Sequence, residues 1–432
     1  MKQEWIEKKL GDTELLTIID GDRGKNYPKQ SDFLLEGHCL FLNTKNVRPD
    51  GFNFETTMFI DKEKDNALRK GKLTRRDVIL TTRGTIGNIA LYDSSVKYDH
   101  IRINSGMLIF RPNERIITSE YLFKVLLSPL VKLQIAKYTS GAAQPQLPIK
   151  TLVNFTIPVP PLPEQKRIVA ILDEAFEGID RAIANTEKNL ANARELFESY
   201  LNAIFTLKGD GWEEKKLEDI CSIKHGFAFK GEFFTNDPSH YILLTPGSFY
   251  ESGGYREQGE KTKYYVGEVP DTYILRKGDF LFVMTEQAVG LLGSSLIVPE
   301  SNRFLHNQRL GLVQLFNGFE WHNDFFFHQF NTQGFRAAVQ SSASGVKVRH
   351  TSPKKLGAIK VFFPRTKAEQ KAVADTLNEL YAETQRLETI YRQKNAAFKE
   401  LKQSILQKAF TGELTADNAN QVKKTAKEVN AA

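Results

Sequence analysis

Two short stretches in the first third of the chain carry side chains suited to reading the edges of bases. Thr82, Arg83 and Gly84 stand where a β-patterned run breaks into a glycine loop, and Ser140, Gly141, Gln144 and Gln146 form a Ser-Gly turn about 60 residues on. An arginine fork matches guanine O6 and N7, and a glutamine amide matches adenine N6 and N7. The same two features return later in the chain. Thr285 and Gln287 follow a second strand pattern, and Ser344, Gly345, Lys347, Arg349 and His350 make a second Ser-Gly turn. Lys137, Lys150, Lys354 and Lys355 flank the turns and suit phosphate contacts, which position a protein on DNA without reading it. For any one of these residues the competing explanation is a solvated loop group with no ligand.

The motifs of a catalyst are missing. The 432 residues contain no Gly-x-x-x-x-Gly-Lys-Ser/Thr phosphate loop and no Gly-x-Gly-x-x-Gly after a strand pattern. The sequence Asp61-Lys62-Glu63-Lys64-Asp65 never sets an acid two residues before a lysine, as a metal-dependent nuclease requires. His306-Asn307 stands alone, and neither the eight histidines nor the lone Cys39 and Cys221 have zinc-ligand or disulfide spacing. These absences favour a binding protein without catalytic residues, cofactor or metal. The lack of a signal-like start or a long apolar run predicts a cytoplasmic chain with no membrane span.

Charge points the same way. The net charge of +7 is modest. Residues 121–163 and 325–368, however, contain no acid at all and hold the lysines and arginines of both turns. Basic tracts free of acid at matching places are what a phosphate-contacting surface needs.

The elements that must position these residues are duplicated. Residues 163–205 begin PLPEQKRIVAILDEAFEGID and residues 366–410 begin TKAEQKAVADTLNELYAETQ, so that Gln165 meets Gln370 and Phe205 meets Phe410 at an offset of 205. In the first stretch Leu172, Phe176, Ile179, Ile183, Thr186, Leu190, Ala193, Phe197, Tyr200 and Ile204 alternate steps of four and three. The second stretch repeats the pattern with Val373, Leu377, Leu380, Thr384, Leu387, Tyr391, Lys394, Phe398, Leu401 and Ile405. That spacing predicts two long helices pairing as an antiparallel coiled coil. Each would be a rod of roughly 65 Å at ~1.5 Å per residue.

The globular parts repeat as well. Trp5 and Trp212 open matching phrases, strand patterns follow in the same order, and helices are expected over 120–138 and 322–340. The fold class is a pseudo-symmetric α/β (α+β) tandem repeat with domains at 1–162 and 209–363, long helices at 163–208 and 364–414, and a small, polar, disordered tail at 415–432.

The order of these parts, the PPLPEQKRIVAILDE phrase with its second copy ending in Phe410-Thr411-Gly412-Glu413-Leu414, and the Ser-Gly-Ala-Ala-Gln-Pro-Gln-Leu turn resemble the specificity (S) subunit of type I restriction-modification systems. The second turn departs from the pattern, reading SGVKVRH, and its linker lacks the double proline. The resemblance implies two target recognition domains, each reading one half of a bipartite, asymmetric site on double-stranded DNA, with the helices as conserved spacers. It further implies docking of two methyltransferase (M) subunits that hold S-adenosylmethionine, and restriction (R) subunits that use ATP and Mg. A coiled-coil scaffold, or a stand-alone DNA-binding protein without a methyltransferase partner, is the alternative.

Overall fold

The computed structural model of the chain describes residues 5–49, 51–139, 146–287 and 289–414. Ser140, Gly141, Gln144 and the tail 415–432 lie outside the described residues. The chain divides into two compact units, residues 1–187 with 392–432, and residues 188–391.

In the first unit Leu16–Asp20, Met107–Pro112, Val78–Thr81 and Ile89–Leu91 form, in that order, a four-stranded antiparallel sheet. In its central strands the runs Met107–Phe110 and Val78–Leu80 are apolar without a break because both faces are covered. Val78, Leu80, Leu108 and Phe110 pack with Tyr121, Leu122 and Val125 of the helix Ser119–Leu126. Ile79, Met107 and Ile109 face the other way, onto Leu40, Leu42, Ile101 and Ile103. Those last residues belong to a three-stranded sheet, Phe59–Ile60, Cys39–Leu42 and Ile101–Ile103, in which the final pair is parallel. Ile6–Lys9 pairs antiparallel with Thr156–Val159 at the foot of the first long helix, Leu162–Leu207.

The second unit repeats the main sheets of this plan. Cys221–His225, Leu310–Leu315, Phe280–Val283 and Ser295–Ile297 make the four-stranded sheet. Phe280 and Phe282 face Phe325, Phe326 and Phe330, whereas Leu281 and Val283 face Leu244, Phe249 and Leu296. A second sheet again contains one parallel pair, Tyr241–Leu243 with Phe304–Leu305, and Phe234–Thr235 adds an extra strand. Glu213–Lys216 pairs with Lys360–Phe363 just before the second long helix, Lys367–Thr411.

Each unit contains a stretch of both long helices. In the first, Ile168, Leu172 and Ile179 share a core with Ile405, Leu406, Ala409 and Phe410; Phe176, Ile183, Phe398 and Leu401 are partly buried against it. Asp180 pairs with Lys402, whose ammonium also lies 5.0 Å from the Phe176 ring. In the second, Arg194 makes a bidentate bond to Glu388 and Phe197 lies 5.2 Å from Tyr381, so the partner number falls as the first helix rises and the helices are antiparallel. Leu377 is fully buried there; Leu190, Leu380, Leu387 and Tyr391 are half-buried. The two seam threonines are satisfied within their own helices, Thr186 donating to the Ala182 carbonyl and Thr384 to the Leu380 carbonyl, one turn back.

The expected seam fails at one end. Tyr200 is 42% exposed, whereas Leu201 and Phe205 are buried. A straight α-helix drifts ~20° per heptad against a strict seven-residue repeat, so after four heptads the buried face has moved on by one position. The helices expected over 120–138 and 322–340 are also each two. Pro129, which has no N–H, starts a new helix after Ser128, and Thr332 caps the later one by accepting from the Phe335 amide.

Candidate nucleic-acid interface

The glycine loop and the far limb of the Ser-Gly turn, about 60 residues apart in sequence, are hydrogen-bonded neighbours in both units. In the first, Thr82 receives the Leu147 amide at 3.0 Å and Arg83 forms a β-bridge with Gln146. The loop closes on buried Thr81, whose hydroxyl binds the Thr85 carbonyl and accepts the Asn88 amide. Gly84 and Gly87 take φ of 72° and 89°, a region that side chains disfavour. The turn so formed leaves Arg83, Gly84, Thr85 and Gln146 exposed. Among the described residues the Arg83 guanidinium has no hydrogen-bond partner. Thr82 faces inward, donating its hydroxyl to the Gly106 carbonyl, which gives it a supporting place under the loop. Lys137 and Lys150 are exposed.

In the second unit the matching backbone bonds join Met284 to Thr351, so Thr285 and His350 stand where Arg83 and Gln146 stand in the first. Their side chains bond each other at 3.3 Å. One more pair, Glu286 with Arg349, extends the ladder. Glu286 is almost fully buried and accepts from the Gly290 and Leu292 amides at 3.1 and 2.7 Å and from Arg349 at 3.3 Å. Arg349 also donates to the Gln340 carbonyl. Its guanidinium is therefore committed to the loop and only partly available to a ligand. Arg336 binds the Glu251 and Gly290 carbonyls from behind. Burial pushes this guanidinium down to about 10, with Glu286 and Glu251 pulling the other way, so it stays a cation at neutral pH.

Ser344 and His350 exchange backbone bonds of 3.0 and 2.8 Å, which closes a tight tip. Gly345 is required there: φ is 97° and a Cβ would lie 2.1 Å from the Val348 oxygen. Val346, Lys347 and Gln287 are exposed around it, as is Lys354, while Lys355 reaches the Ser344 hydroxyl at 3.4 Å.

A neighbouring segment was not singled out from the sequence. Asn88 donates to the Val47 carbonyl at 2.9 Å, and a Cβ on Gly84 would lie 3.6 Å from the Thr44 hydroxyl. Exposed Lys45 and Arg48 therefore border the first loop. The matching border of the second loop carries Tyr250 and Glu251; Ser294 donates to the Tyr250 carbonyl. The basic pair within TKNVR was the only sequence signal, and the fold is needed to bring it here.

Residues considered for catalysis have structural places. Asp61 caps the helix Lys62–Ala67 and buried Asp65 is held by Arg102 and Lys72. His306 is buried and donates from Nε2 to the Leu310 carbonyl, and burial holds its imidazole down to about 4. Among the described residues no cluster of His, Cys, Asp or Glu could hold a metal ion, and no helix is long and apolar enough to cross a membrane.

Comparison with known proteins adds an independent line. The sequence model for the type I restriction modification DNA specificity domain matches twice, at residues 2–191 and 209–395. The specificity subunit of the MjaVIII type I restriction enzyme from Methanocaldococcus jannaschii is 23% identical over 440 residues, covering 97% of this chain and 95% of that subunit. The EcoBI specificity subunit of Escherichia coli is 26% identical over 235 residues, a match spanning 54% of this chain and 46% of that subunit. Among solved structures, a chain from work on complex assembly and conformational transition of the type I R-M system has a TM-score of 0.75 at 18% identity, covering 96% of this chain and 99% of its own. The HsdS subunit from Thermoanaerobacter tengcongensis has a TM-score of 0.58 at 18% identity, covering 96% and 98%. With two successive domain matches over most of its length and the fold repeated to suit, the chain belongs to the type I restriction modification DNA specificity family and carries two DNA-recognition domains.

Proposed function

We propose that this chain supplies the address of a type I restriction-modification complex and none of its chemistry. Each recognition domain reads one half of a bipartite, asymmetric DNA site, and the paired helices set the gap between the halves and offer the surface on which two methyltransferase subunits dock. Those subunits hold S-adenosylmethionine; restriction subunits, where present, bring ATP and Mg. The boundaries that suit this reading are recognition domains at 1–162 and 209–363 with spacer helices between and after them.

The observation that carries the reading is the loop-and-turn cluster built twice on one backbone plan, each copy exposed and each beside a tract without acids. Within a cluster, Arg83 and Gln146, or Gln287, Lys347 and His350, contact base edges, and Lys137, Lys150, Lys354 and Lys355 contact phosphates.

The test is co-expression with a methyltransferase subunit and mapping of methylated bases across a genome. Methylation confined to a split motif supports the reading. A chain that forms no methyltransferase complex and shows no DNA preference is a scaffold instead.

A further inference from the structure

The spacer helices begin with the same glutamine, and it does the same thing in both units. Gln165 is fully buried; its Oε1 accepts the Thr118 amide at 2.9 Å, and its Nε2 donates to the Ile116 and Pro160 carbonyls, both at 2.8 Å. Gln370 is fully buried; its Oε1 accepts the His322 amide at 2.9 Å, and its Nε2 donates to the Glu320 and Pro364 carbonyls, both at 3.0 Å. In each unit one planar amide ties three things together. These are the loop that enters the first domain helix, the strand exit, and the first turn of the long helix.

Apolar packing at this junction, with Ile168 and Leu172 in one unit and Ala374 and Leu377 in the other, supplies attraction but little direction. Three bonds to a planar amide fix an angle. We propose that Gln165 and Gln370 are positioning residues that lock each recognition domain to its spacer helix, and so determine how strictly the protein measures the gap between half-sites. The inference rests on the bipartite reading above and adds the residues that enforce it. Adding one base pair to the gap shifts a half-site by about 3.4 Å and turns it by about 34°. A domain pinned at its helix foot rejects that displacement, and one free to rock follows it.

The experiment uses the full-length chain and duplexes carrying both half-sites, identified first by selection from a random library, with the gap varied by one and two base pairs. If selection returns no split site, the bipartite reading itself fails. If it does, wild type should favour one gap over its neighbours by about tenfold or more, and Gln165→Ala and Gln370→Ala should each cut that preference to about threefold or less while both half-site sequences stay the same. Gln165→Glu and Gln370→Glu, which keep the shape but remove the amide donors, are read in the same assay in case either alanine variant does not fold. Unchanged gap preference in folded variants, an equal loss of binding at every gap, or an altered half-site sequence overturns the proposal.

Discussion

At the first glycine loop Arg83 and Gln146 stand side by side with exposed side chains; at the second, Thr285 and His350 hold the same backbone positions and are bonded to each other. Behind Arg83 lies a short loop closed by the Thr81 hydroxyl. Behind Thr285 lies a longer one organised around buried Glu286, with Arg349 on one side and Arg336 on the other. The frame is constant and the side chains it presents are not. One domain offers a guanidinium that no described residue engages, and the other spends Arg349 and Arg336 on the loop itself. The second loop is therefore held by its own internal bonds, and its exposed groups are Gln287, Val346, Lys347 and His350.

Removing the organiser of the second loop should have the largest effect. Glu286→Ala leaves the Arg349 guanidinium and two loop amides without their acceptor, and truncating one partner of a buried charged network costs about 3–5 kcal/mol. The lower end applies because the Arg349 side chain is 27% exposed. Hydrogen exchange should accelerate across 285–293, and preference for the second half-site should weaken while the first half-site is read as before. Unaltered exchange there would show that Glu286 does not organise the loop.

Next in size is Arg83→Ala. A good arginine–guanine pair is worth about 1–3 kcal/mol of discrimination, whereas an exposed side chain with no internal partner contributes within about 0.5 kcal/mol to stability. The variant should relax the choice at one base pair of the first half-site with little change in melting temperature. Thr285→Ala at the matching position should relax the second half-site less, since its hydroxyl is already engaged by His350. Equal effects from the two substitutions would erase the distinction drawn between the loops.

How much of this was legible without coordinates follows from the range of the interactions. The duplicated helix shows in the chain because the seam of Leu172, Ile179 and Leu377 is a local periodicity. The adjacency of loop and turn was not legible: Arg83 and Gln146 meet through a bridge that only the intervening sheet and helices create. The inward turn of Thr82 was equally hidden, since it depends on the Gly106 carbonyl 24 residues away. Arg349 read as a base contact because nothing near it in sequence is acidic; its partner Glu286 is 63 residues distant. The missing double proline of the second linker also has a physical substitute. Thr366 and Glu369 form a capping box, each accepting the other's backbone amide, where Pro160 and Pro161 set the first helix.

Acid should separate the two units. His306 and His328 are both buried in the second, with imidazoles held below the usual range by burial, His306 at about 4. An unfolded imidazole takes its proton near 6.5. Between those values the unfolded chain binds more protons, so this part of the stability is intact above pH ~6.5 and declines as pH falls toward 4. The first unit's His38 and His100 lie partly or well exposed. Exchange-detected opening should therefore rise in residues 209–363 before 5–139 as pH is lowered from 7 to 4.5. His306→Asn should flatten that rise, and simultaneous opening of both units would argue against it.

The smallest effect is the best test of whether the two domains share one mode of phosphate contact. Lys150 and Lys354 follow the two turns on the short helices Ile149–Leu152 and Pro353–Gly357, and both are exposed. A lysine on a phosphate contributes mainly by releasing a counterion, so its loss lowers the slope of log K against log salt by about 0.9 without altering base preference. Lys150→Ala and Lys354→Ala should each flatten the slope by that amount. Lys355→Ala should change it less, because its ammonium leans on the Ser344 hydroxyl and its side chain is partly buried. If only one of the two exposed lysines moves the slope, the domains approach the DNA backbone differently, and the likeness of their folds stops short of their contacts. If Lys355 alone moves it, the tip at Ser344 lies closer to phosphate than the helix that follows.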